Sequence, residues 1–260
     1  MQIGKRNINI RSGRFIFTAL IAIFFVAGAI AAYNIITTEA SYAAAQSEYA
    51  ELRQLAPVEN TQPPATKQDS ELGSDPDTVS TEHEVNTETM PDLSEINPDY
   101  IGWIRIEGTS IDYPVVQCPS NVKYLNTTFM GDRNPSGTIF MDSQSMNGFF
   151  GFAMLHGHNM RDGTMFAGLN RYLESGYLEA HPEIIIFTPH RGTLIYSIFD
   201  VKLTTVNDTI FTLFDEDQET IDKYFAELGI EDSSGVLILS TCTSGHRNER
   251  LLILAERQQH

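Results

Sequence analysis

The chain has two thiols, Cys118 and Cys242, and the setting of Cys242 is the one that suits chemistry. It ends the run VLILSTC and opens a polar loop that returns into a second apolar run, Leu251–Leu254. Both runs are short, nearly continuous and bounded by turn-forming residues, as strands buried on both faces are. A thiol at such a strand end is held rigidly while facing a cleft. The thiolate is the nucleophile in cysteine chemistry, and near neutral pH it needs a cation or a base beside it. Two arginines follow closely, Arg247 and Arg250. If the hairpin loop is centred on His246, positions 242 and 250 fall opposite each other and Arg247 lies at the tip. Directly opposite residues have Cβ atoms about 4.5–5.5 Å apart, so Arg250 is the arginine expected to serve the thiol.

The base must come from seven histidines. His83 lies in a polar tract, His260 is terminal, His181 and His190 flank strands, and His246 shares the loop with Cys242. That leaves His156 and His158 in LHGHNM, on a turn between ordered elements. Bland readings stand beside these: Cys242 as a small buried residue, and His156-Gly157-His158 as a polar turn or two ligands of a metal site. No Cys-x-x-Cys or His-Glu-x-x-His spacing accompanies them, so neither metal nor cofactor is expected. No glycine-rich phosphate loop joins a strand to a helix, so nucleotide binding has no support.

These residues need a scaffold, and the pattern supplies many short strands. Strands are expected at Ile101–Ile106, Ile111–Val116 (broken by Pro114), Gly137–Met141, Phe149–Leu155, Glu183–Phe187 and Thr193–Val201, besides the closing hairpin. Short helices are expected after Asp92, at Ser120–Leu125, at Met165–Leu173, and at Glu216–Leu228 with Ile221, Tyr224, Phe225 and Leu228 inward. Many strands with a few helices in the connections suggest a closed β barrel or a sandwich.

Ahead of this domain the chain changes character twice. No charge occurs from Phe15 to Thr38, and four basic residues with no acid precede that run. Residues 15–34 form a helix long enough to cross a membrane, with residues 1–14 in the cytoplasm and the remainder outside. A cleaved signal peptide, cut near Ala29-Ile30-Ala31, is the alternative. Residues 35–56, rich in Ala, Glu, Gln and Leu, read as a juxtamembrane helical stalk. Residues 57–90 are dominated by Pro, Thr, Ser, Asp and Glu and read as a disordered acidic spacer whose use is reach. Residues 91–260 are the folded domain. Four of the 17 basic residues and none of the 34 acidic ones lie in the first 38 positions, leaving the rest at −21. That charge argues against a nucleic-acid partner, whose phosphates would be repelled.

The combination of LSTC ending a strand, an arginine eight residues later opening the last strand, and an upstream GHNM before an aromatic-bearing helix resembles the class B sortases. IGWIRIEGTSIDYPVVQ, KYLN and GTIFMDS resemble the start of their domain. The resemblance runs from about Pro91 to the C-terminus. It implies a mainly β fold, a closed eight-stranded barrel with inserted short helices. It also implies a membrane-anchored cysteine transpeptidase of Gram-positive bacteria. Such an enzyme cleaves a Pro-x-Thr-type sorting motif on exported proteins through a thioester. It then joins the Thr carboxyl to a cell-wall peptide amine or a pilin lysine. By that likeness Cys242 is the nucleophile, His158 the acid/base and Arg250 the oxyanion or positioning cation. Ser240, Thr241, Asn121 and Leu125 then fall at substrate-binding positions. The chain departs from the family where a tyrosine commonly stands two residues before the histidine; here it is His156. A non-catalytic surface scaffold and a hydrolytic cysteine peptidase are the rival readings.

Overall fold

The computed structural model describes residues 10–56, 92–243, 245 and 248–258. The first nine residues of the expected cytoplasmic tail, the spacer at 57–90, and His246 and Arg247 at the expected hairpin tip lie outside the described residues. Eight strands close into a barrel: β1 (Tyr100–Arg105), β2 (Asp112–Val116), β3 (Ile139–Met141), β4 (Ala153–His156), β5 (Glu183–Thr188), β6 (Gly192–Thr205), β7 (Val236–Cys242) and β8 (Glu249–Arg257). Their order around it is β1-β2-β3-β4-β7-β8-β6-β5. The pairs β2–β3 and β4–β7 are parallel and the others antiparallel. The α-helices among the described residues are α1 (Ile10–Arg53), α2 (Tyr177–Ala180) and α3 (Gln218–Ala226), and an eight-residue 3₁₀ segment spans Phe166–Leu173.

Three local expectations are corrected. Pro114 does not break β2: it pairs with Trp103 of β1, while β3 joins β2 only from Val115, so proline occupies an open edge where it is tolerated. The stretch Phe149–Leu155 becomes strand only at Ala153, because a 3₁₀ turn at Gly148–Phe150, with Gly148 at φ 54°, comes first. Leu228 points outward, since α3 ends at Ala226 and the chain turns at Gly229 with φ 86°.

Alternation along the strands divides the apolar side chains between two cores. Leu155, Leu237, Leu239, Leu251 and Ile253 fill the barrel with Ile104 and Tyr113. Met154, Val236, Ile238, Leu252 and Leu254 face outward and are covered by Ile210, Leu213, Ile221 and Phe225. α3 supplies the last two, and its start is fixed by the Asp217 carboxylate, which accepts the Thr220 N–H at 2.8 Å.

α1 is continuous over 44 residues, about 66 Å at 1.5 Å per residue. From Phe17 to Ile36 its large apolar side chains are exposed, whereas Ala45, Tyr49, Leu52 and Ala56 are buried in the barrel's core. The Tyr49 hydroxyl donates to the Gly137 carbonyl at 2.5 Å, and Asn134 donates to the Ser41 carbonyl at 2.8 Å. Arg53 donates to the Asp112 carbonyl at 3.0 Å and lies over the Tyr113 ring. The end of the expected stalk is therefore built into the barrel. Leu93, across the segment 57–91, belongs to the same core. That segment leaves and re-enters one body, so its length does not set the reach of the barrel.

Leu52→Ala is expected to cost about 2–5 kcal/mol, as deletion of a fully buried leucine does. Glu51→Ala, on the exposed face of the same turn, should stay within about 0.5 kcal/mol. Thermal unfolding of the two variants checks this; equal melting temperatures would mean that the helix end is an independent stalk.

Candidate active site

Strand register alone assembles the site. β4 and β7 run parallel with His156 level with Ser240, and the chain continues past β4 through Gly157 to His158, which lines the same cleft as Cys242. β7 and β8 run antiparallel with Cys242 opposite Arg250. By alternation His156, Ser240, Cys242 and Arg250 lie on the outer face that Met154, Ile238 and Leu252 share. Where the apolar cover of that face ends, a cleft of about 340 Å³ opens, within the range of ligand pockets. All seven expected site residues line it: Cys242, His158, Arg250, Ser240, Thr241, Asn121 and Leu125.

Their contacts differ in kind. His158 Nε2 lies 2.7 Å from the Leu125 carbonyl. A carbonyl only accepts, so Nε2 carries a hydrogen and Nδ1 is the nitrogen left to exchange a proton. Leu125 thus contributes a backbone oxygen that orients the ring. The Asn121 carboxamide is engaged within the cleft wall, accepting from the Ser143 N–H at 2.8 Å and donating to Asp142 at 2.9 Å. Thr241 is buried and its hydroxyl donates to the Gly157 carbonyl at 2.8 Å, which ties β7 to the turn between the two histidines. Arg250 reaches back to the Glu249 carbonyl at 2.9 Å. The Cys242 thiol is exposed, and Cys118 is the other free cysteine, with its sulfur 3.3 Å from the Ser120 carbonyl.

The sequence reading missed Thr138, Phe140, Asp142, Gly157, Val206 and Phe211, which also line the cleft. Asp142 takes hydrogen bonds from His156 Nε2 at 3.0 Å, the Gln144 N–H at 3.0 Å and Asn121. Burial pushes its carboxyl up, but these hydrogen bonds, led by that of His156, outweigh burial and hold it below the usual carboxylate range. His156 is therefore fixed as the partner of a carboxylate, and its ring lies beside Phe140 with centroids 5.2 Å apart. Among the described residues no group of three or more His, Cys, Asp or Glu is placed to share a metal ion.

The loop after His158 is closed on both sides. Asn159 donates to the Cys242 carbonyl at 2.8 Å and accepts from Asn170 at 3.0 Å. The Phe166 N–H donates to the His158 carbonyl at 2.9 Å. Between them Met165 sits at φ 55°, a conformation unusual for a side-chain-bearing residue, with its N–H on the Tyr113 hydroxyl and its side chain in the core. Gly157 is required by space: a Cβ there would lie 2.5 Å from Ile139 Cδ1 and 2.6 Å from Phe166 Cδ2, both on fully buried side chains. Gly157→Ala is expected to cost about 1–3 kcal/mol through overpacking and to displace His158. Its melting temperature and its turnover should both fall; a variant with parental values for both would show that the two side chains give way freely.

A sortase-domain family model matches residues 104–258. The chain is 31% identical over 165 residues to sortase B of Listeria monocytogenes, covering 59% of this chain and 66% of that protein. It is 33% identical over 177 residues to sortase B of Staphylococcus aureus, covering 63% and 72% respectively. The X-ray structure of Clostridium perfringens sortase B superposes with a TM-score of 0.57 at 31% identity, over 64% of this chain and 98% of that one. The barrel, the matched span and both curated relatives agree: the chain belongs to the sortase family, and within it to class B.

Proposed function

We propose that the protein is a membrane-anchored cysteine transpeptidase that cleaves a Pro-x-Thr-type sorting motif on exported proteins. It joins the new Thr carboxyl to a cell-wall peptide amine or a pilin lysine. The observation that carries the reading is the register that brings Cys242, His158 and Arg250 to one cleft from three adjacent strand ends. Cys242 Sγ attacks the Thr carbonyl carbon, and the oxygen takes up negative charge that the Arg250 guanidinium offsets. The bond to the following residue's nitrogen breaks as His158, protonated on Nδ1, gives that amine its proton. The resulting thioester is attacked by the incoming amine. Neutral His158 takes the proton of that amine as the thiolate leaves, which restores the starting state. Ser240 and the cleft walls, Leu125, Phe140 and Phe211 among them, hold the motif. The uncharged run at 15–34 is the anchor, with its N-terminal side in the cytoplasm and the barrel outside.

The experiment is peptide cleavage by single variants, with an amine added to separate transfer from hydrolysis. Cys242→Ala and His158→Ala should abolish cleavage. Cys118→Ala should match the parent, and His156→Tyr should be tolerated. Arg250→Ala should lower turnover by about 10²–10³, the loss typical of one oxyanion donor. Lysine at 250 should restore part of it, because an ammonium lacks the planar fork. Arg247→Ala should stay within about threefold, less than ~1 kcal/mol in the barrier. Cleavage retained by Cys242→Ala would end the cysteine-transpeptidase reading, and a parent chain that cleaves nothing would leave a scaffold. Free acid in place of ligated product at saturating amine would make the enzyme a peptidase.

A further inference from the structure

The helix that ends inside the barrel also carries the apolar run, and no break separates the two parts. Ile36 is the last large exposed apolar residue of the run, and Glu39 is the first charge after Arg14. Among the described residues, the barrel's first hydrogen bond to the helix is at the Ser41 carbonyl. From Ile36 to Ser41 is about 7–8 Å along the axis at 1.5 Å per residue. A bilayer's headgroup layer is about 5–8 Å deep on each side. The rim of the barrel that meets α1 therefore has no room to stand clear of the lipid surface.

One loop of that rim borders the helix between Gln46 and the end of the apolar run. Met160–Gly163, two residues beyond His158, is held to the helix by Gln46, which donates to the Asp162 carboxylate at 3.0 Å. The same carboxylate accepts from the Thr164 N–H at 3.1 Å and from its hydroxyl at 2.7 Å, so its charge is shared among three donors although the residue is exposed and lines the groove described next. Exposed Arg161 lines a groove with Asn34, Ile35 and Thr38, alongside the last turns of the apolar run. Glu39 is the other acid there, and it sits on the helix itself.

We propose that the Met160–Gly163 loop is seated in the phospholipid headgroup layer of the membrane that α1 crosses, with Arg161 toward the lipid phosphates, and that this seat fixes the orientation of the cleft. The inference rests on the anchoring reading above. Near an anionic surface a basic side chain is attracted to the lipid phosphates, which favours one tilt of a stiff helix. A cleft held this way meets polypeptide segments that have just emerged from the same membrane.

The test uses the full chain in anionic vesicles on a Cys118→Ser, Cys242→Ala background, with an environment-sensitive fluorophore on a single introduced cysteine. Arg161→Cys places it on the loop. His190→Cys places it on the exposed turn between β5 and β6, at the end of β6 remote from the β6 residue paired with Arg250. Headgroup-labelled quencher lipids are expected to quench the label at 161 strongly and that at 190 little, and four glycines inserted between Thr38 and Glu39 should erase the contrast. Equal quenching at both positions, or none at 161 in protein that floats with the vesicles, overturns the seat while leaving the anchor intact. Protein that fails to float overturns the anchor and the seat together. With the label moved to Arg133, in the loop whose Asn134 holds Ser41, Arg161→Glu should reduce quenching; an unchanged signal would overturn the phosphate contact.

Discussion

Parallel pairing of β4 with β7 is the constraint on which the site depends. Two strands separated by some eighty residues are locked with His156 level with Ser240, and every chemical group follows from that register and from the hairpin that returns through Arg250. A slip of one residue would turn the thiol or the imidazole to the other face, into the packed barrel. The register is held at its open end by polar contacts on both strands: Gly157 N–H on the Ser240 carbonyl, the Thr241 hydroxyl on the Gly157 carbonyl, and Asn159 on the Cys242 carbonyl.

Two kinds of packing keep this edge open yet rigid. The outer apolar cluster covers β4, β7 and β8 as far as Ile238 and Leu252 and then ends, leaving the next residues on the same face to line a cleft. Inside, Phe166 and Ile139 press against Gly157, so the main chain between the histidines has no slack. From the other side of the cleft the Leu125 carbonyl orients His158, and Gly137 packs against the Tyr124 and Leu125 carbonyls closely enough to exclude a Cβ. Gly137 in turn receives Tyr49 of α1. A line of contacts therefore runs from the long N-terminal helix to the imidazole.

The closing hairpin was the most legible part of the sequence, because its two apolar runs and the symmetric loop between them define a local register that pairs Cys242 with Arg250. The eight strands were legible from turn residues and β-branched runs; their errors fell at Pro114 and Gly148, where a single backbone rule was weighed without its neighbours, at the start of β3, two residues after Gly137, and at the end of β6, four residues beyond Val201. The parallel β4–β7 contact was not legible, since nothing local ties residue 156 to residue 240; the choice of His158 came from family resemblance. Asp142 was quoted within a motif but passed over, because a lone acid beside a strand has no signature until its three donors are seen. The docked end of α1 was missed although a signal existed. Ala45, Tyr49, Leu52 and Ala56 recur at four- and three-residue spacing, the stripe of a helix with one buried face.

The segment between Ala56 and Leu93 connects two points of one core, and this gives its length an unusual freedom. Chain-closure entropy grows only with the logarithm of loop length, about 0.6 kcal/mol for each doubling. Insertions and deletions there leave the barrel's stability and the placement of the cleft almost unchanged. Among descendants of one ancestral gene, this stretch is where residue number should drift fastest. The helix from Ile36 to Arg53, where a single added residue would rotate the buried stripe by about 100° away from the barrel, should hold its length.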